Sequence, residues 1–190
     1  TEPKPHGPDM KDSEYLKKLF LEQGMNVTAL NNYMTCPWRY FFENLVRIPH
    51  APEKHQMFGI AVHSALKEEM ARIRKGEKPD KTYLLDSFVR NLTRQPLSSD
   101  EFEESKKKGL RVLDGYFDEH EKEWGGEMIP ELSVAGISIP LGNGEDLLLR
   151  GQIDRIDING GRVTVVDYKT GSVKSRKEIL GETKTSEGNI

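Results

Sequence analysis

The stretch Gly151–Gly171, GQIDRIDINGGRVTVVDYKTG, decides the fold class. Two β-branched runs flank Asn159-Gly160-Gly161, a composition that supplies the positive φ angles of a two-residue hairpin turn. With Gly160 and Gly161 as the turn, Asn159 faces Arg162, Ile158 faces Val163, Ile156 faces Val165, Asp154 faces Asp167 and Gln152 faces Lys169. Side chains alternate along a strand, so the last four of these pairs, from Ile158 and Val163 to Gln152 and Lys169, share one face. That face begins apolar, which predicts packing against a core, and continues into two opposed carboxylates beside a lysine. Like charges set opposite each other on paired strands repel. A divalent cation between them turns repulsion into binding, so the hairpin is expected to carry a metal site with an adjacent catalytic lysine.

Working outward, Glu131 to Pro140 reads as a strand, Gly142-Asn143-Gly144 as a turn, and Asp146 to Ile158 as the long strand feeding the hairpin. Upstream the periodicity is helical. Ser13 to Gln23 places Tyr15, Leu16, Leu19 and Phe20 on one side, and Thr28 is the expected N-cap of a second helix. Pro37 restarts that helix, and Trp38 to Leu45 continues it. A helix led in by Phe58-Gly59 carries Val62, Ala65, Leu66, Met70 and Ile73 at helical spacing and stops near Gly76, with His63 beside the apolar stripe. Asp80 to Arg94 forms the next helix. Ser98 and Glu101 make a capping box that opens a long helix ending at Gly125-Gly126. Helices followed by an antiparallel meander predict an α+β fold with helices over one face of the sheet. Tyr33, Trp38, Tyr40, Phe41 and Phe42 are expected to pack in the core, and Cys36 to be a small buried hydrophobe.

A chain of 190 residues is long enough for one well-cored domain. Residues 1–10 are expected to form a disordered tail, and 11–190 a single domain truncated at its C-terminus. No apolar run approaches the roughly 18 residues of a membrane span, so a soluble chain is expected. The single cysteine excludes an internal disulfide and any multi-cysteine metal site built from this chain alone, in keeping with a reducing, cytoplasmic setting. A net charge of −3 argues against a protein that coats nucleic acid by bulk electrostatics. It leaves room for a nuclease, whose acidic ligands lower the total. The clusters Lys106-Lys107-Lys108 with Arg111, and Lys174, Arg176 and Lys177, are solvated faces in the plainest interpretation and phosphate contacts in the alternative.

Asp154 followed by Asp167-Tyr168-Lys169 resembles the signature of the PD-(D/E)XK nucleases, in the GxIDRID and DYKTG form of the RecB-like and AddB-like branch. Two further blocks extend the likeness: Tyr33-Met34-Thr35-Cys36-Pro37-Trp38-Arg39-Tyr40-Phe41 is similar to that branch's YxxCPxxYxF segment, and Phe58 to His63 to its GxxxH helix. The resemblance implies a restriction-endonuclease-like core, a mixed sheet with flanking helices. It implies that His63, Asp154, Asp167 and the Tyr168 main-chain carbonyl ligate Mg²⁺ or Mn²⁺, and that Lys169, Asp154 and Asp167 are catalytic. Gln152 and Glu131 are supporting residues, and Tyr33, Arg39, Tyr40, Lys174 and Arg176 the expected DNA contacts. Such domains are fused to or associated with UvrD- or RecB-type helicases and degrade DNA from its ends in repair and recombination, in the cytoplasm at the nucleoid. An iron–sulfur cluster is not expected from Cys36 alone, and the branch's later QxxxY helix has no counterpart after Gln152. The competing expectation is a catalytically silent nuclease fold that binds DNA or serves as a docking module for another protein.

Overall fold

The computed structural model describes residues 12–171, 175–180 and 182. The tail at 1–10 lies outside them. The chain divides into two compact units, and strands β1 (Glu127–Pro140) and β2 (Asp146–Asn159) each contribute residues to both.

The first unit holds the described residues of Thr1–His50, Ser133–Gly151 and Lys174–Ile190. Helix α1 (Ser13–Gln23) starts on Asp12, whose carboxylate accepts the Glu14 and Tyr15 amides. Helix α2 (Val27–Thr35) is capped by Asn26 rather than by Thr28, because the Asn26 side chain accepts the Ala29 amide at 2.7 Å. Pro37 opens a short α3 (Pro37–Arg39), its missing N–H being no loss at a first helical position. The helix continues as a π-helical segment (Tyr40–Leu45) and closes at Arg47, whose φ is +59°. Three of the aromatic residues expected in the core are exposed, Trp38 at 68% with Tyr33 and Phe42, while Tyr40 and Phe41 are half-buried. Trp38 and Phe42 stack on each other instead. Cys36 is half-buried and free. Met25 forms a parallel bridge to Leu149, so the pairing against β2 is mixed in direction. Gly24 permits that approach, since its φ is +69° and a Cβ there would strike the Leu148 carbonyl.

The second unit, Ala51–Leu132 with Gln152–Val173, contains the hydrophobic core. Helix α4 (Lys54–Arg74) begins four residues before Phe58, because Glu53 and Gln56 form a capping box without a Ser or Thr. Its buried stripe of Phe58, Ala61, Val62, Ala65, Leu66 and Met70 meets α5 (Lys81–Thr93) and α6 (Ser99–His120). Phe88 and Leu84 of α5 are fully buried, each stabilising the fold by about 1.5–3 kcal/mol relative to exposure. Ser98 and Glu101 form both halves of the expected capping box. The long helix stops at His120, five residues before Gly125. A 3-10 turn (Glu121–Glu123) then lets Trp124 fold back into the core, edge-on to Phe117.

The sheet has the order β1-β2-β3, from β1 (Glu127–Pro140), β2 (Asp146–Asn159) and β3 (Arg162–Val166). β1 starts earlier than Glu131, and Met128 is buried in the core. β2 and β3 pair antiparallel as Asn159↔Arg162, Ile158↔Val163 and Ile156↔Val165, the expected register around Gly160-Gly161. The face expected to be buried is the open one on β3, where Val163 and Val165 are each 60% exposed. The core instead lies under the opposite face, where Arg155 is buried against Met70 and donates to the Tyr168 hydroxyl at 2.9 Å. The architecture is therefore α+β, a small sheet with flanking helices.

Candidate metal centre

The centre lies within the second unit. Helix α4 presents His55, Gly59, His63 and Lys67 at four-residue spacing, a repeat that keeps side chains on one helix face. That face forms one wall of a cleft of about 480 Å³, completed by Glu131, Gln152, Asp154 and Thr170. Gly59 keeps the wall low where Thr170 approaches, since a Cβ there would lie 3.2 Å from the Thr170 hydroxyl.

In this cleft His63, Glu131 and Asp154 converge, one ligand atom of each lying within 4.8 Å of the other two. His63 Nδ1 is 3.3 Å from Asp154 Oδ1. The second Asp154 oxygen accepts the Tyr168 main-chain N–H at 2.6 Å, which fixes the carboxylate. Glu131 accepts a hydrogen bond from the Gln152 amide. Its backbone φ is +55°, a conformation that costs a non-glycine residue about 1–2 kcal/mol and that here falls inside a strand. Among the described residues no lysine or arginine pairs with Glu131 or Asp154. One imidazole nitrogen and two carboxylates, half-buried and without a lysine or arginine partner among the described residues, form a donor set suited to a divalent ion.

The other expected site residues stand apart from this cluster. The ladder ends at Arg155↔Val166, one pair short of Asp154 and Asp167, because Asp154 takes the Tyr168 N–H. Asp167 instead pairs with Lys169 at 2.9 Å, with both side chains largely exposed. The two line a separate cavity of about 570 Å³ together with Val62, Val112 and Tyr116. Between them the Tyr168 phenol is turned inward, and burial pushes its pKa well above the ordinary value. Gln152 reaches the cluster through Glu131. In the first unit, Tyr33 meets Tyr40 edge-on with ring centroids 5.8 Å apart, and Arg39 pairs with Glu43. Arg176 opens the short α7 (Arg176–Ile179), and Lys174 lies outside the described residues.

Several cleft residues were not among the expected site residues, Ser64 and Lys67 of α4 among them. Among the described residues Lys67 makes no ion pair. For Lys67 the signal was available in its spacing from His63, since the fourth residue onward shares its helix face.

The family model of the PD-(D/E)XK nuclease superfamily matches residues 25–185. The chain belongs to this superfamily. Among curated proteins it is similar to an ATP-dependent helicase/deoxyribonuclease subunit from Carboxydothermus hydrogenoformans, at 28% identity over 197 residues, covering 87% of this chain and 18% of that protein. The protein of the same name from Thermoanaerobacter sp. is 26% identical over 200 residues, covering 87% of this chain and 17% of that protein. The chain thus spans less than a fifth of the relatives it matches. No solved structure gives a significant match. Among the described residues no helix is long and apolar enough to cross a membrane.

Proposed function

We propose that residues 11–190 belong to the nuclease domain of a metal-dependent deoxyribonuclease, an exonuclease module that works with a helicase on DNA ends in repair or recombination. The observation that carries this reading is the convergence of His63, Glu131 and Asp154, with Glu131 held in a left-handed conformation inside a strand. These three residues would hold the cation, which when bound supplies Lewis acidity toward water and a phosphate oxygen. The Tyr168 N–H holds Asp154 in place, and the Gln152 amide does the same for Glu131. Lys67, exposed on the cleft wall one helical turn from His63, meets a phosphate of the strand. Lys169, once freed from Asp167, places its ammonium against charge developing on the phosphate or orients the attacking water. Asp167, released from Lys169, and the Tyr168 carbonyl would complete the set of groups that hold the cation. DNA as substrate implies an intracellular, nucleoid-associated setting.

The pairing of Asp167 with Lys169 away from the cluster favours a second reading, a silent nuclease fold that binds DNA without cutting it. Incubation with end-labelled linear single- and double-stranded DNA plus Mg²⁺ or Mn²⁺ separates the two, run beside Asp154→Asn, Asp167→Ala and Lys169→Ala. Cleavage that requires metal and drops about 100-fold or more in each variant is the expected result. Binding without cleavage by the unaltered protein would establish the silent fold instead.

A further inference from the structure

The first unit contains a concave site of its own. A cavity of about 460 Å³ opens where α1 ends and α2 begins, with Tyr40, Asn44, Arg47, His50 and Arg150 among its lining residues. None of its lining residues belongs to the metal cleft. The π-helical segment Tyr40–Leu45 brings Tyr40, Glu43 and Asn44 to its wall, and such insertions recur at functional sites.

Arg47 is the informative residue. It ends that helical segment with φ +59°, and the next amide, that of Ile48, closes back onto the Phe42 carbonyl at 2.9 Å. This is the position at a helix C-terminus that glycine fills without steric cost. An arginine there spends backbone comfort for a side chain that gives the helix end only one long hydrogen bond, to the Asn44 carbonyl. Among the described residues the Arg47 Nε donates to that carbonyl at 3.3 Å, and Arg150 donates to the Glu22 carbonyl at 3.1 Å. Among the described residues neither guanidinium meets a carboxylate. Glu43, the acidic residue in the lining, is already engaged by Arg39 at 3.0 Å and Asn32 at 3.3 Å. The start of α2 adds the partial positive charge of a helix N-terminus. Two guanidiniums without carboxylates, in a cavity of ligand size, suit a phosphate, whose oxygens match the planar fork of arginine.

We propose that this cavity grips a backbone phosphate of the nucleic-acid strand, at a position other than the bond hydrolysed, through Arg47 and Arg150. The assignment rests on nucleic acid being the substrate. The test is oligonucleotide binding by fluorescence anisotropy across salt concentrations without divalent metal, comparing the protein with Arg47→Gly and Arg150→Gln. Each variant is expected to bind about 10-fold more weakly at low salt and to lower the salt slope by about 1. Arg47→Gly should melt no lower than the unaltered protein, an outcome that a merely structural arginine would not give. Hydrolysis of bis(p-nitrophenyl) phosphate by the metal-loaded protein should be unchanged in both variants. Unchanged oligonucleotide affinity and salt slope in both, with the protein itself binding DNA, would overturn this inference alone. Orthophosphate protection of the arginines without any effect on oligonucleotide affinity would assign the cavity to a free anion and also overturn it. A protein that binds no oligonucleotide would overturn both this inference and the nucleic-acid reading beneath it.

Discussion

Glu131 holds a backbone angle that its side chain makes unfavourable, and its carboxylate stands beside His63 and Asp154. Glu131→Gly removes the strain and the ligand together. We expect this variant to be as stable as the parent or up to about 1 kcal/mol more stable, while its Mn²⁺ affinity falls at least about 10-fold. Urea unfolding and Mn²⁺ titration check the two halves separately, and lowered stability with unchanged affinity would make Glu131 a structural residue. His63 and Asp154 were legible in the sequence because each sits in a recognisable block. Glu131 entered only as a supporting residue, since nothing in a glutamate's identity announces a left-handed φ. Placing Asp167 opposite Asp154 extended the register one pair beyond the end of the ladder. A main-chain amide, that of Tyr168, competes for the Asp154 oxygen and ends the ladder first, and residue spacing does not reveal such competition.

Among the elements, the contact of α5 with α6 is set by Gly109, whose missing side chain leaves room for the Phe88 ring. Gly109→Ala would ordinarily favour a helix by about 1 kcal/mol, but a Cβ here collides with a fully buried ring. We expect a net loss of about 1–3 kcal/mol by chemical denaturation, and a stabilised variant would contradict this packing. Helices α4 and α5 are joined by Glu69, fully buried, which accepts the Asp80 amide at 2.6 Å and Arg72 at 2.9 Å. Burial raises its pKa above the ordinary carboxylate value, outweighing those donors. The folded state therefore holds the Glu69 proton more tightly than the unfolded chain. The resulting stabilisation is complete below the ordinary carboxylate value and lost as pH rises through the raised one. Glu69→Gln does not titrate, so its stability relative to the parent should rise as pH increases above the ordinary carboxylate value. A constant difference would contradict the shift. The capping boxes and the hairpin turn were legible as elements because their residues act within four positions of one another. The π-helical segment was not, because it depends on how the Tyr40–Leu45 turn packs rather than on which residues compose it.

At the scale of the whole molecule, order along the chain was enough for an α+β fold, since helical periodicity gives way to strand alternation once, after α6. Which sheet face meets the core was not evident, because Arg155 reads as a surface residue until its guanidinium is seen bound to Tyr168 and Asp157 beneath the sheet. The proposed chemistry centres on one divalent ion held by residues from α4, β1 and β2. Isothermal titration of Mn²⁺ into the protein and into His63→Ala, Glu131→Ala and Asp154→Ala tests it most directly. We expect one ion per chain and an affinity at least about 10-fold weaker in each of the three variants. Equal affinity in all four proteins would contradict it.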